Sequence, residues 1–192
     1  VRRRRVRRLG DIELVQKLIS ACESTNSKPH ILFSSSTQEE RDNLYGKSKR
    51  DGRMLLEDWA KRNNARFTGL IIPNVFGPFG NPYYNSVVAT FCHQLTHGED
   101  PKIDVDGNLK LIYVNELINE IYLILIANGQ PLIAIKHTSE IKVSDLLLKL
   151  QNFKKTYFEK GIFPDLNDRF DLNLFNTFVC YIDHKTFFPF HL

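Results

Sequence analysis

The sequence predicts an α/β fold built around a mostly parallel sheet. Three observations predict it. His30-Ile31-Leu32-Phe33 and Phe67–Ile72 are short, continuously apolar runs of the kind found in strands buried on both faces. Between and around them, apolar residues recur at helical spacing. Strand-like and helix-like segments then alternate along the chain, as parallel βαβ units require.

Taken in order, Ile12, Leu14, Val15, Leu18 and Ile19 mark a helix from Ile12 to Cys22, broken by Asn26-Ser27-Lys28-Pro29. The apolar run from His30 follows as the first strand. Residues 43 to 62 return to helical periodicity, with Met54, Leu55 and Trp59 expected to face inward. Phe67–Ile72 is the second strand, stopped by Pro73. Residues 85–97 read as a helix, 102–105 as a short strand, 115–127 as a helix and 132–135 as a strand. Ser144 is placed to cap a helix running to about Lys160, which Gly161 ends. From Phe163 onward the chain is rich in aromatics but has no period that places an element.

A chain of 192 residues suffices for one domain with a sizeable core. Its net charge of +4 is unevenly distributed. Six of the first eight residues are arginine, and without them 20 basic residues face 22 acidic ones. The body is therefore slightly acidic, which argues against a nucleic-acid surface. The arginine run has three readings: a tail for polyanions, a solvated disordered end, or a cloning or translation artefact. It lacks interleaved aromatics, and residues 1–10 are taken as a basic non-native or disordered tail. The run Ile121–Ala127 is too short to span a membrane. Cys22, Cys92 and Cys180 are scattered, without a C-x-x-C, and read as reduced thiols of a cytoplasmic protein.

The chemistry concentrates in SSSTQEERDNLYGKSK, Ser34 to Lys49. Tyr45 and Lys49 stand four residues apart, on one face of a helix. An ammonium beside the ring favours the phenolate, which makes tyrosine a usable acid or base near neutral pH. Serines at the carboxyl end of the preceding strand lie where open α/β sheets bind ligands, and one of them can polarise the same substrate oxygen. Read by itself, Tyr-x-x-x-Lys is more often a half-buried tyrosine beside a solvated lysine.

With FSSS (Phe33–Ser36), YGKSK (Tyr45–Lys49), PNVFGP (Pro73–Pro78) and LIYVNEL (Leu111–Leu117), the chain resembles the extended short-chain dehydrogenase/reductase superfamily, whose members modify nucleotide sugars. The longer stretches Asn43–Ser86, Phe91–Gly107 and Phe163–Phe178 are similar to the bacterial capsular-polysaccharide and O-antigen keto-sugar reductases. These are two-domain enzymes on the route to UDP-N-acetyl-L-fucosamine, with a C-terminal cupin.

The resemblance implies a partial Rossmann-like parallel sheet and NADPH- or NADH-dependent reduction of a 4-keto-hexose carried on UDP. It assigns Tyr45 as acid/base and Lys49 as its partner and ribose ligand. Ser36 becomes the polarising serine, with Ser35 second and also near the cofactor. Pro73 would lie against the nicotinamide, Asn74 at the sugar and Asn85 near the nucleotide. It also implies a homodimer for the whole enzyme and no metal in this portion, while the charge balance and the short apolar runs lead us to expect no nucleic-acid or membrane partner.

Some of the family pattern is missing. No G-x-x-G-x-x-G follows an early strand, so the loop that cradles the cofactor pyrophosphate is not found. The expectation is therefore an internal fragment. Residues 11–182 would be the C-terminal part of the reductase domain and 183–192 the start of a linker toward a cupin. Leu109 and Lys110 stand where many relatives have Arg-Asp, which leaves phosphate contact by Lys110 open.

His93-x-x-x-His97 hints at zinc but lacks a third ligand. Asp104-Val105-Asp106-Gly107 hints at calcium and reads better as a turn. Phe187-Phe188-Pro189-Phe190 reads as packing lost by truncation or as an exposed patch. Two alternatives to the reductase remain open. One is a 4-epimerase or 4,6-dehydratase of the same superfamily, the dehydratase disfavoured by Thr37-Gln38 after Ser36. The other is a non-catalytic remnant or basic-tailed binding module.

Overall fold

The computed structural model describes residues 2–127 and 130–187, with the side chains of residues 2–11 and of Thr186 outside that description. The aromatic patch beyond Phe187 therefore lies outside the described residues. In chain order the elements are α1 (Arg2–Ser24), β1 (Ile31–Ser36), a 3-10 turn (Thr37–Glu40), α2 (Leu44–Asn63), β2 (Phe67–Ile72), β3 (Asn74–Phe76) and α3 (Val87–Thr96). They continue with β4 (Asn108–Tyr113), α4 (Val114–Ile126), β5 (Leu132–Ala134), β6 (Ser139–Lys142), α5 (Val143–Phe153), a π-helical turn (Lys154–Phe158), α6 (Arg169–Val179) and α7 (His184–Phe187). The chain divides into two compact units, residues 1–73 with 120–136, and residues 74–119 with 137–192.

The first unit holds a parallel sheet in the order β1-β2-β5. β2 is central and buried along nearly its whole length, which is why its sequence is apolar without alternation. β1 runs beside it in register from Ile31↔Phe67 to Ser36↔Ile72. Parallel neighbours need a crossover, and α2 supplies it. Val15 and Cys22 of α1 pack with Leu56, Trp59 and Ala60 of α2 and with Phe67. Trp59 faces inward as the periodicity predicts, but Met54 is 50% exposed, and Leu56 takes the buried place instead. Asn64 ends α2 in the left-handed conformation (φ 53), and its N–H donates to the Ala60 carbonyl.

The second unit holds a mixed sheet, β3 parallel to β4 and β6 antiparallel to it. Its core joins Val88, Phe91, Cys92 and Leu95 of α3 to Leu146, Leu150 and Phe153 of α5 and to Leu174, Phe175 and Phe178 of α6. Each set recurs at three and four residues, one stripe per helix. The expected strand at 102–105 is not formed, and the neighbouring strand is β4.

Two further expectations are corrected here. Ser144 does not cap α5. Lys142 occupies that position without a side-chain bond, and Asp106 reaches across to accept from the Ser144 backbone N–H (2.8 Å) and hydroxyl (2.9 Å). The helix also stops at Phe153 and passes through the π turn. Gly161 (φ +67) then closes the segment by donating to the Tyr157 carbonyl at 2.9 Å.

Candidate active site

The first unit brings the serine end of β1 against the start of α2. Asn43 caps α2, its side-chain oxygen accepting from the Gly46 N–H at 2.8 Å. Tyr45 is therefore in the first turn, 38% exposed. Lys49 lies one turn on, with Nζ 5.8 Å from the Tyr45 ring centroid and 5.4 Å from that of Phe33. The same ammonium donates to the Ser34 carbonyl at 3.2 Å. That bond ties α2 to β1 and leaves two of the three ammonium hydrogens for other acceptors. The donor set suits the hydroxyls of a ribose.

The three serines differ sharply in environment. Ser34 is exposed. Ser35 is buried, and its hydroxyl donates to the Glu39 carboxylate. Ser36 caps the 3-10 turn, its oxygen accepting from the Gln38 N–H at 3.2 Å. An accepting hydroxyl keeps its own hydrogen to give. Ser36 thus retains a hydrogen to donate, whereas that of Ser35 is engaged.

Glu39 is a feature the sequence did not disclose. It is buried, and its carboxylate takes a forked bond from Arg53, Nε at 3.0 Å and Nη2 at 2.9 Å. Arg53 also reaches Glu57 at 3.2 Å, and Lys61 meets Glu57 at 2.7 Å. In the run TQEERDN, Glu39 reads as one more solvated charge. Its partner stands 14 residues away, on a different element.

Pro73 is buried just beyond β2 in the first unit. Asn74 and Asn85 belong to the second unit, and both are exposed. Asn74 pairs with Leu111 across the β3–β4 ladder, and Asn85 immediately precedes Ser86, the cap of α3. In β4, Leu109 packs against the core while Lys110 is exposed, opposite Glu140 in the antiparallel ladder.

The second unit also contains a polar hollow of about 380 Å³ lined by Glu116, Thr138, Ser139, Glu140, Asp168 and Arg169, among others. Glu116 is tied down there, accepting from Thr138 Oγ1 at 2.6 Å and from the Tyr113 N–H at 3.2 Å. The His93 and His97 rings stack at 4.0 Å, and Nδ1 of His97 bonds the His93 carbonyl. Among the described residues no three His, Cys, Asp or Glu side chains gather around a metal position. Both Asp106 oxygens are engaged by Ser144, whose N–H and hydroxyl hold the carboxyl below its ordinary range. No helix of the described residues is long and apolar enough to cross a membrane.

Comparison with known proteins gives this geometry a family. A UDP-2-acetamido-2,6-beta-L-arabino-hexul-4-ose reductase of Pseudomonas aeruginosa is 29% identical over 155 residues, covering 78% of this chain and 41% of its own length. The capsular polysaccharide assembling protein CapF of Staphylococcus aureus superposes with a TM-score of 0.72 at 30% identity, over 93% of this chain and 49% of that one. A UDP-N-acetylglucosamine 4-epimerase from Methanobrevibacter ruminantium M1 shares the fold with a TM-score of 0.72 at 20% identity, over 89% of this chain and 68% of that one. The chain thus spans 41% of the length of the reductase and 49% of that of CapF. The profile of the NAD dependent epimerase/dehydratase family matches residues 10–133, most of the chain and the whole of the serine–tyrosine–lysine segment, and the chain belongs to that family.

Proposed function

We propose that this chain carries the proton-transfer half of a nicotinamide-dependent reductase acting on a UDP-linked 4-keto sugar. The finer form of the proposal is an NADPH-dependent reduction of a 4-keto-6-deoxy-N-acetylhexosamine, within a longer polypeptide. The observation that carries it is the Lys49 ammonium, held beside the Tyr45 ring and bonded to the carbonyl of the first of the β1 serines. The similarity to the Pseudomonas aeruginosa reductase supplies the substrate class.

In this reading Tyr45 gives its phenolic proton to the sugar oxygen as the carbonyl becomes an alcohol, and takes a proton back from water. Ser36 donates its free hydroxyl hydrogen to the same oxygen and lowers the energy of the charge that builds there. Lys49 keeps positive charge beside the ring and offers its remaining hydrogens to the cofactor ribose. Pro73 supports the nicotinamide, Asn74 the sugar and Asn85 the nucleotide. The reduced nicotinamide, when bound, supplies the hydride.

The test uses the whole reading frame that contains this chain, with a UDP-4-keto-hexosamine and NADPH or NADH. Wild-type protein is expected to oxidise the cofactor in step with loss of the ketone. Tyr45→Phe is expected to lower kcat by roughly 10² to 10⁴. Full turnover in Tyr45→Phe, or sugar conversion without net cofactor oxidation, would overturn the proposal, the latter in favour of epimerisation.

A further inference from the structure

Ser36 and Tyr45 lie on different elements, β1 and α2, joined by the 3-10 turn Thr37–Glu40 and a short loop. A turn so short and polar has few apolar contacts of its own to fix it. Two features do fix it. A Cβ on residue 46 would overlap the Gln38 carbonyl oxygen and stand 2.8 Å from its carbon, so the turn's backbone is seated directly on α2 at a glycine. One residue on, Glu39 enters the interior and meets Arg53, also of α2, with side-chain exposures of only 8% and 13%.

The second contact is built in depth. Both Glu39 oxygens are used: Oε1 takes the Ser35 hydroxyl and Arg53 Nε, and Oε2 takes Arg53 Nη2 at 2.9 Å. Arg53 is itself held from below. A Cβ on Gly69 of β2 would stand 2.6 Å from Arg53 Cδ, so the arginine stem crosses β2 where the strand has no side chain. Its remaining nitrogen is held by Glu57. A connected chain of contacts therefore runs from β2 through Arg53 and Glu39 to Ser35, the residue before Ser36. A guanidinium fork meeting a carboxylate fixes orientation as well as distance, which a lysine or an apolar pair does not.

We propose that Glu39 and Arg53 are a positioning pair, which sets the Ser36 hydroxyl relative to Tyr45 and Lys49 without touching substrate. This rests on the reading of Ser36 and Tyr45 given above. Proton transfer and oxyanion stabilisation depend steeply on geometry, and a displacement near 1 Å costs on the order of 10²-fold in rate. The role belongs to kcat, because both side chains are buried and spend their polar atoms on each other, on Ser35 and on Glu57.

The experiment compares Glu39→Gln, Arg53→Lys and Tyr45→Phe in the whole reading frame, measuring kcat, both KM values and Tm. Glu39→Gln keeps the shape and an oxygen for Ser35 but removes the charge. Arg53→Lys keeps the charge but removes the fork, and covers the case in which the first variant fails to fold. The expected result, with each variant assayed well below its own Tm, is a kcat loss of about 10- to 100-fold in the folded variants with both KM values within about twofold. Tm is expected to fall in Glu39→Gln, which leaves the buried guanidinium one carboxylate short, and less in Arg53→Lys. Wild-type kcat in a folded variant overturns the proposal. So does a loss that only tracks the folded fraction, which would make the pair a stability device. Tyr45→Phe separates the two failures. If it is inactive while Glu39→Gln and Arg53→Lys are fully active, only the positioning role is lost. If Tyr45→Phe is itself active, the site reading has failed and the positioning role goes with it.

Discussion

The backbone carbonyl of Gln38 occupies the space that a side chain at Gly46 would need. The glycine allows the 3-10 turn to rest on the first turn of α2, beside the capping bond from its own N–H to Asn43. Two elements that carry the candidate site therefore meet backbone to backbone.

Gly46→Ala decides between two effects of opposite sign. Alanine favours a helix over glycine by about 1 kcal/mol. Here its methyl group would meet a carbonyl oxygen that belongs to a turn and cannot rotate away as a side chain would. Overpacking of this kind costs about 1–3 kcal/mol, with larger values where backbone must shift. The overlap with backbone at Gln38 puts the cost at the upper end, and the expected outcome is a net loss of about 2 kcal/mol in urea unfolding. A variant as stable as wild type would show that the turn yields freely.

The sequence disclosed what repeats and missed what is joined only by folding. β2 was legible because it is central, and burial on both faces leaves a continuous apolar run. Tyr45 and Lys49 were legible because one helical turn relates them. α6 was not, since its buried stripe includes Asp171, Asn173 and Thr177. Those polar residues are tolerated inside because each is bonded: Asp171 to Lys149, Thr177 to the Asn173 carbonyl, and Asn173 to Glu116. They erase the apolar period that marks a helix. β3 and β6 span three and four residues, too few for a pattern to emerge. The Glu39–Arg53 pair and the Asp106–Ser144 tether connect residues 14 and 38 positions apart, a relation no local spacing encodes.

His30 offers a pH-dependent readout of the first unit. Arg66 can only donate, so its 3.0 Å contact makes Nδ1 of His30 an acceptor and leaves the hydrogen on Nε2, which faces Thr68 Oγ1 at 3.0 Å. Burial first, and the Arg66 charge second, hold the imidazole below its ordinary 6.5. A base whose folded pKa is depressed contributes stability that is complete above its unfolded value and is lost as pH falls through the folded one. Stability should therefore be flat above about pH 7 and decline below about pH 6 in this respect. NMR titration of the imidazole protons is expected to give a value under 6.5, moving upward in Arg66→Gln. A value at or above 6.5 would show that the ring is solvated and the Arg66 contact is not formed.

Lys149 and Asp171 make an ion pair whose two ends are unequally buried. Nζ lies 2.6 Å from Oδ1, with the lysine side chain 40% exposed and the aspartate 4%. Asp171 also accepts from the Asn167 N–H at 3.3 Å, which alone does not compensate a buried charge. Removing the lysine strands the carboxylate in the interior, whereas removing the carboxylate frees a lysine that can turn to water. Lys149→Met is therefore expected to cost about 2–4 kcal/mol, and Asp171→Asn only about 1, since asparagine keeps an oxygen for Asn167. Paired denaturant unfolding curves read the difference directly. Equal costs, or a larger cost for Asp171→Asn, would mean that water reaches Asp171 in solution and that the pair contributes no more than a surface bridge.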